Sequence, residues 1–169
     1  MTRPRPVVVY LGLGSNLSDP TTQVRAACVQ LQRHPGCQQM LCSSFYQTPA
    51  MGQIEQPDFV NAVVRIHTFL TPEALHAVLL ELERAQGRVR NGVRWGPRTL
   101  DIDILMYSDQ QIETPALTIP HPGLHERAFV LYPLAEIAPN LVVPGRGAVG
   151  DLIKALGKSP ITRMAFVDA

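Results

Sequence analysis

A loop joins a strand in the sequence Arg94-Trp95-Gly96-Pro97-Arg98-Thr99-Leu100-Asp101-Ile102-Asp103. Side chains alternate between the two faces of a strand, so Asp101 and Asp103 project to the same side, about 6.6 Å apart along the chain. Leu100 and Ile102 take the opposite face and can enter a core. The stretch therefore predicts a strand that is buried on one face and carries two carboxylates on the other.

The paired carboxylates indicate a cation, because two negative charges held side by side repel each other. Mg²⁺ prefers oxygen ligands and is usually held by one or two carboxylates and by substrate phosphate oxygens. Basic side chains are concentrated immediately upstream, and they are Arg84, Arg88, Arg90, Arg94 and Arg98. The net charge is only +1, so this concentration is local. Arginine donates paired hydrogen bonds to anionic oxygens, and the combination predicts metal-assisted phosphate chemistry.

Simpler interpretations exist for each feature taken alone. An Asp-x-Asp pair on a strand is often a solvent-facing edge, and an arginine run is often a solvated face or a nonspecific nucleic-acid patch. The conjunction of the two favours a phosphate site. No Gly-x-x-x-x-Gly-Lys-Ser/Thr sequence occurs, and Leu17 stands where a dinucleotide fingerprint beginning at Gly12 needs its third glycine. Any nucleotide is therefore expected to bind without these loops.

Length and composition predict one domain over residues 7–169, preceded by a flexible tail over residues 1–6. No run approaches the ~20 apolar residues of a membrane span, and no apolar leader precedes the first strand. Three cysteines without a Cys-x-x-Cys pair indicate reduced thiols in a cytoplasmic protein. His121 and His125 have a spacing that can hold zinc, but no His-Glu-x-x-His sequence and no nearby cysteine support it.

Hydrophobic periodicity predicts the order βαββαβ. The expected strands are 7–13, 39–47, 59–69 and about 99–107, with helices opening at Ser18 or Asp19 before Pro20 and at Thr71-Pro72. A hairpin through 112–119, helical segments at 129–137 and 149–156, and a last strand at 161–167 are expected to follow. This is the order of a ferredoxin-like α+β sandwich, extended by a hairpin and C-terminal helices. That fold hosts many functions, so it does not fix the activity.

Several blocks together resemble one family, the 6-hydroxymethyl-7,8-dihydropterin pyrophosphokinases of folate biosynthesis. The matching blocks are Leu11–Leu17, Ser44–Pro49, Gln56–Ala62, Gly87–Arg90, Arg94–Asp103 and Ile119–His121. They follow the family's order and spacing over nearly the whole chain, and the Arg-Trp-Gly-Pro-Arg-Thr-Leu-Asp-x-Asp block is highly specific. Phe59 stands where the family can have tyrosine, Met51 where leucine is found, and Pro122 where tyrosine is expected.

The resemblance implies transfer of the diphosphate of ATP to the hydroxymethyl group of the pterin, with release of AMP. It implies that Asp101 and Asp103 bind two Mg²⁺ ions and that Arg88 and Arg98 close over the phosphates as part of a lid. The ATP-side residues that it implies are Glu83, Arg90, Arg94, Trp95, Ile104, His121 and Arg127. The pterin-side residues that it implies are Gly14, Thr48, Pro49, Met51, Phe59, Asn61 and Phe129. We expect a monomer that binds neither nucleic acid nor membrane.

The implied pterin site agrees with elementary chemistry. A flat heterocycle gains from stacking between two aromatic rings, and an amide such as Asn61 can donate and accept hydrogen bonds at once. Core packing is the alternative for Phe59 and Phe129, and a surface strand position is the alternative for Asn61. Two rival functions also stay open, an RNA-binding module and a two-metal phosphohydrolase.

Overall fold

The structure is a computed structural model that describes residues 3–50, 55–87 and 99–165. Its elements, in chain order, are β1 (Val7–Ser15), α1 (Pro20–Arg33), β2 (Gln38–Cys42), β3 (Tyr46–Thr48), β4 (Phe59–Thr68), α2 (Pro72–Ala85), β5 (Asp101–Tyr107), β6 (Ile112–Glu113), β7 (Thr118–Ile119), a 3₁₀ turn (Leu124–Glu126), α3 (Ala128–Ile137), β8 (Val142–Val143), β9 (Gly147–Ala148), α4 (Val149–Leu156) and β10 (Thr162–Arg163). The described residues thus combine an antiparallel sheet with four α-helices, which confirms the mixed α and β class.

The main sheet has the order β10-β3-β4-β1-β5, and β2 pairs with β4 as well. All of these pairings are antiparallel. Strand β1 pairs with β4 on one side and with β5 on the other, so Gly14 lies opposite Asn61 and also opposite Asp101. Gly12 lies opposite Asp103 in the same register. Directly paired residues share a face of the sheet, so this register brings residues from three separate strands into one row.

The sheet separates two apolar clusters. Helices α1 and α2 pack on one face against alternate residues of the central strands, such as Leu11, Ala62 and Ile102. Helices α3 and α4 pack on the other face around Val63 and Leu105. Because β4 is covered on both faces, its residues from Val60 to Val64 are all buried. In the part of the chain that the structure describes, no helix combines the length and apolar character needed to cross a membrane.

The first two helices begin where local chemistry predicts. Asp19 precedes α1, and its carboxylate accepts hydrogen bonds from the Thr22 hydroxyl at 2.8 Å and the Thr22 amide at 3.5 Å. Thr71 precedes α2, and its hydroxyl accepts from the Ala74 amide at 3.2 Å. A proline occupies the first turn of each helix, where a missing N–H has no consequence.

The strand expected at 39–47 is interrupted, and β2 and β3 replace it. At the break the Ser43 amide donates to the Val63 carbonyl at 2.9 Å, while the Val63 amide donates to the Ser43 hydroxyl at 2.9 Å. The Ser43 hydroxyl thus takes the place of a main-chain carbonyl in the hydrogen-bond ladder between the strands. Earlier in the segment, Gln39 adopts a φ of 48°. The expected hairpin forms between β6 and β7, while the last strand is confined to Thr162–Arg163 within the described residues.

The carboxylate of Glu136, on α3, contacts several residues at the edge of the sheet. Glu136 accepts from the Ser44 amide at 2.6 Å and from the Tyr46 hydroxyl at 2.8 Å, and its Oε1 lies 3.5 Å from Nε of Arg163. Burial opposes the charge on Glu136, but the hydrogen bonds from Ser44 and Tyr46 and the charge of Arg163 outweigh it and lower the pKa of the carboxyl. Burial and this contact raise the pKa of Tyr46 to about 12.

This contact predicts a pH-dependent contribution to stability. Because the folded pKa of Glu136 is lowered, its contribution is fully present above the unfolded value near 4.5 and is lost as the pH falls through the folded pKa. We expect Glu136→Gln to lower the urea midpoint at pH 7, with a difference from the parent that shrinks on acidification. Glu113→Gln, on the exposed end of β6, is the control. A difference that does not change with pH would contradict the assignment.

Candidate active site

A cavity of about 380 Å³ lies where the row of paired residues meets α2 and the start of α3. Its walls come from β1, the segment around β3, β4, α2, β5, and the chain from His121 to Val130. The lining residues are Gly12, Leu13, Gly14, Thr48, Pro49, Phe59, Asn61, Ala62, His76, Leu80, Glu83, Asp101, Ile102, Asp103, Leu105, His121, Arg127, Phe129 and Val130. Aromatic rings, an amide, carboxylates and a guanidinium therefore face one space.

An oriented amide lies in the floor of the cavity. Asn61 is 5% exposed, and its Nδ2 donates to the Thr48 hydroxyl at 2.9 Å. A Cβ atom at position 14 would lie 2.9 Å from Asn61 Oδ1, closer than real Cβ atoms approach, so glycine is required beside this amide. The contact with Thr48 uses one of the two N–H groups of Asn61, and the amide retains capacity to donate to and accept from a ligand.

Two aromatic rings border the same space from different elements. Phe59 begins β4 and Phe129 lies in the first turn of α3. Phe59 belongs to neither apolar cluster, and Phe129 packs only at the border of the second one. Arg127 places its guanidinium carbon 5.6 Å from the centroid of the Phe129 ring, within the range of a cation–π contact. The rings are therefore cavity walls, which argues against plain core packing for Phe59.

The two aspartates lie half-buried on the cavity side of β5. Their partners on β1 are Gly14 and Gly12, which carry no side chains. Within residues 3–50, 55–87 and 99–165, no cluster of three or more His, Cys, Asp and Glu side chains is placed to hold a metal ion. Two carboxylates suit a hard cation that takes its other ligands from phosphate and water.

His121 adjoins the aspartates as a neutral side chain. Its Nδ1 accepts from the Gly123 amide at 3.0 Å, so the proton of the neutral ring is on Nε2, which lies 3.8 Å from Asp103 Oδ2. Burial and the nearby charge of Arg127 lower the pKa of His121 to about 4, against the opposing effect of Asp101. At neutral pH the imidazole therefore presents an N–H group rather than a positive charge.

A buried carboxylate holds the strand that carries the aspartates. Glu83, in the last turn of α2, is 3% exposed, and its Oε1 accepts from the main-chain amide of Ile102 at 2.8 Å. Ile102 lies between Asp101 and Asp103, so α2 is fixed to β5 at the centre of the pair. A buried amide without a partner is costly, which makes this contact important for the local backbone.

Most of the expected site residues that the structure describes line this cavity. Of the residues expected on the pterin side, these are Gly14, Thr48, Pro49, Phe59, Asn61 and Phe129; of those expected on the ATP side, they are Glu83, His121 and Arg127; the expected metal ligands Asp101 and Asp103 line it as well. Ile104 instead lies in the core cluster on the opposite face of β5. Met51, Arg88, Arg90, Arg94, Trp95 and Arg98 lie outside the described residues, as does the proposed lid.

Two lining residues on α2 were not predicted from the sequence. His76 and Leu80 face the cavity together with Glu83. The three occupy positions i, i+4 and i+7, which share one side of a helix. This spacing could have identified His76 and Leu80 from the sequence, because both lie on the same side of the helix as Glu83.

The chain is similar in sequence to one family of known proteins. A family model described as 7,8-dihydro-6-hydroxymethylpterin-pyrophosphokinase (HPPK) matches residues 10–139. A Haemophilus influenzae protein named 2-amino-4-hydroxy-6-hydroxymethyldihydropteridine pyrophosphokinase is 44% identical over 148 residues, which cover 88% of this chain and 92% of that protein. A protein of the same name from Methylorubrum extorquens is 46% identical over 155 residues, covering 92% of this chain and 97% of the relative.

A solved structure shares the fold. It is the Plasmodium falciparum HPPK-DHPS with pteroate, with a TM-score of 0.71 and 14% identity, and the match covers 92% of this chain and 43% of that one. At this identity the likeness concerns the fold alone. The matched family model and the relatives above 40% identity along most of their length establish that this chain belongs to the 7,8-dihydro-6-hydroxymethylpterin-pyrophosphokinase family.

Proposed function

We propose that this protein transfers the diphosphate of ATP to the hydroxymethyl group of 6-hydroxymethyl-7,8-dihydropterin, with release of AMP, in folate biosynthesis. One structural observation supports the proposal in addition to family membership. The cavity is lined by two aromatic rings, a held amide and two carboxylates, and Gly14 lies between Asn61 on β4 and Asp101 on β5. Such a cavity can hold a flat heterocycle beside a metal-bound polyphosphate.

The pterin half of the site is the apolar end. Phe59 and Phe129 offer ring faces to a flat heterocycle, and Asn61 offers an amide that can both donate and accept along its edge. The Thr48 hydroxyl restrains the Asn61 amide before a ligand arrives, because it already accepts from Nδ2. A preoriented group loses less freedom on binding, which favours selection of a ligand with the matching edge.

The nucleotide half is the charged end. Asp101 and Asp103 are the residues that would hold two Mg²⁺ ions, and Arg127 contributes a fixed positive charge at the cavity wall. Bound magnesium would neutralise charge on the triphosphate and align it for attack at phosphorus. Because His121 is neutral, it can donate a hydrogen bond without competing as a cation for the aspartates. The loop arginines stay predictions of the family resemblance.

The proposed reaction is a transfer between ligands bound in these two halves. The hydroxymethyl oxygen of the pterin attacks the β-phosphorus of ATP and its proton passes to solvent, while the bond from that phosphorus to the α,β-bridging oxygen breaks and AMP leaves with that oxygen. The aromatic walls exclude water from the attacking group, which favours transfer over hydrolysis. Glu83 keeps the main chain between the aspartates in place during this step. Positioning and charge stabilisation account for catalysis of this kind.

The decisive experiment is incubation of the protein with ATP, Mg²⁺ and the reduced hydroxymethylpterin, followed by chromatography of nucleotides and pterins. We expect AMP and the pterin diphosphate in equal amounts, and neither without the pterin. Release of inorganic phosphate from ATP alone would instead support the phosphohydrolase. Salt-dependent RNA binding without magnesium would support the nucleic-acid module.

We also propose the finer architecture of the fold, the oligomeric state and the location of the protein. The pairing of β3, β4, β1 and β5 in that spatial order supports a ferredoxin-like core, to which the small β-hairpins, α3 and α4 are added. A monomeric state, a cytoplasmic location and a flexible segment before Val7 remain predictions. Sedimentation of the purified full chain tests the first of these directly.

Phe129→Ala tests the aromatic wall. Loss of the ring removes apolar burial and stacking, so we expect pterin affinity to fall by about 1–3 kcal/mol, or roughly 5- to 150-fold in Kd. ATP affinity should change less, because only the contact with Arg127 is lost on that side. Calorimetric titration with each ligand separates the two effects. Phe69→Ala, at a residue that is 55% exposed, is the matched control. Equal losses for both ligands would contradict the pterin assignment.

A further inference from the structure

The structure brings two cysteine thiols into contact outside the cavity. Cys28 lies in α1 and Cys42 ends β2, and their Sγ atoms are 3.7 Å apart. Both residues are half-buried, and neither lines the cavity. The third cysteine, Cys37, is only 4% exposed. The fold therefore pairs two cysteines that are fourteen positions apart in the sequence and leaves the third enclosed.

The hydrogen bonds of the pair run in one direction. The Cys42 thiol donates to the Ser43 carbonyl at 3.2 Å, and the Cys28 thiol is then the donor to Cys42 Sγ. The hydrogen bond from Cys28 lowers the pKa of Cys42 more than burial raises it. Cys42 is thus the thiol that ionises first, and a thiolate is the nucleophile in disulfide exchange.

The pair is also within reach of a small reagent. Cys28 and Cys42 each keep part of their surface exposed to solvent, whereas Cys37 is buried. A disulfide needs an S–S distance of about 2.05 Å, so the sulfurs must approach by roughly 1.7 Å, which side-chain rotation and a small shift of α1 can supply.

We propose that Cys28 and Cys42 are an intramolecular disulfide site, oxidised by low-molecular-weight disulfides. The Cys42 thiolate attacks one sulfur of the small disulfide, forming a mixed disulfide and releasing one small thiolate. Deprotonated Cys28 then attacks Cys42 Sγ, which breaks the mixed disulfide and releases the second small thiolate. The two cysteine protons pass through solvent to the released thiolates. The two cysteine sulfurs are oxidised and the small disulfide is reduced to two thiols.

The test uses the reduced full-length protein and oxidised glutathione. After incubation, free thiols are alkylated in denaturant, and the intact mass and peptide map are measured. We expect loss of the mass of two hydrogen atoms, a Cys28–Cys42 cross-linked peptide and alkylation of Cys37 alone. The melting temperature of the oxidised protein should rise by about 5 °C, because the cross-link restricts the unfolded chain.

Three variants make the test specific. Cys37→Ser should form the same cross-link at the same rate as the parent. Cys28→Ser should stop at a stable glutathione adduct on Cys42, and it should show no rise in melting temperature. Cys42→Ser should form no cross-link. The proposal is overturned if the parent protein retains glutathione on Cys42, if Cys37 enters the cross-link in comparable yield, or if all three thiols remain reduced.

Discussion

Asp101→Asn and Asp103→Asn should each lower diphosphate transfer by about 100-fold or more at saturating substrates. Each change keeps the shape of the side chain and removes a negative charge that would hold magnesium against the triphosphate. Electrostatic stabilisation of this kind contributes several kcal/mol at a reacting phosphorus, which sets the expected scale. AMP formation over a range of magnesium concentrations measures the effect. The folded state should persist, because both side chains are only half-buried on a polar face.

A nearby aspartate supplies the control for this pair. Asp109 lies in the exposed turn after β5 and does not line the cavity. Asp109→Asn should therefore keep the parent turnover and magnesium dependence. Near-parental turnover of either cavity variant at saturating magnesium would show that the assignment of the two carboxylates is wrong.

Glu83→Ala should combine a loss of stability with a loss of turnover. Removal of the carboxylate leaves the buried Ile102 amide without the acceptor that now lies 2.8 Å away, at a cost of about 1–3 kcal/mol. The main chain between Asp101 and Asp103 should then shift. Displacement of catalytic groups by about 1 Å can cost on the order of 100-fold in rate. Urea unfolding and AMP formation measure the two losses.

Two matched variants separate the role of Glu83 in positioning β5 from the effect of its charge. Glu83→Gln keeps an oxygen that can accept from Ile102, so it should recover most of the stability and much of the turnover. Glu81→Ala, at a 71% exposed side chain paired with Arg84 on the same helix, should change neither by much. If Glu83→Gln were as inactive as Glu83→Ala while both stayed fully stable, Glu83 would act on a ligand through its charge and not through β5.

Local patterns in the sequence were sufficient for much of the fold. The caps at Asp19 and Thr71 could be predicted because each acts within three residues of its own position. The break between β2 and β3 could not, because it depends on the Ser43 hydroxyl reaching Val63, twenty residues along the chain. The contact between Tyr46 and Glu136 spans ninety residues, and no local pattern indicates it.

The candidate site likewise combines features that local sequence patterns predict with features that depend on distant residues. Period-two alternation placed the two aspartates on one face. Alternation also assigns Ile104 to the core, where the structure has it, although the family resemblance implied the ATP side. The position of Gly14 between Asn61 and Asp101 required the register of three strands, which a single sequence does not state.

The breadth of the cavity wall couples ligand occupancy to the folding of the whole chain. The cavity wall includes residues of β1, β4, β5, α2 and α3. Strands β1, β4 and β5 also lie between the two apolar clusters. A bound ligand therefore opposes global unfolding rather than the opening of one loop. At a ligand concentration of 100 times Kd, the native state gains about 2.7 kcal/mol by mass action. The protein supplied with its substrates is accordingly expected to be more resistant to proteolysis than the same protein deprived of them.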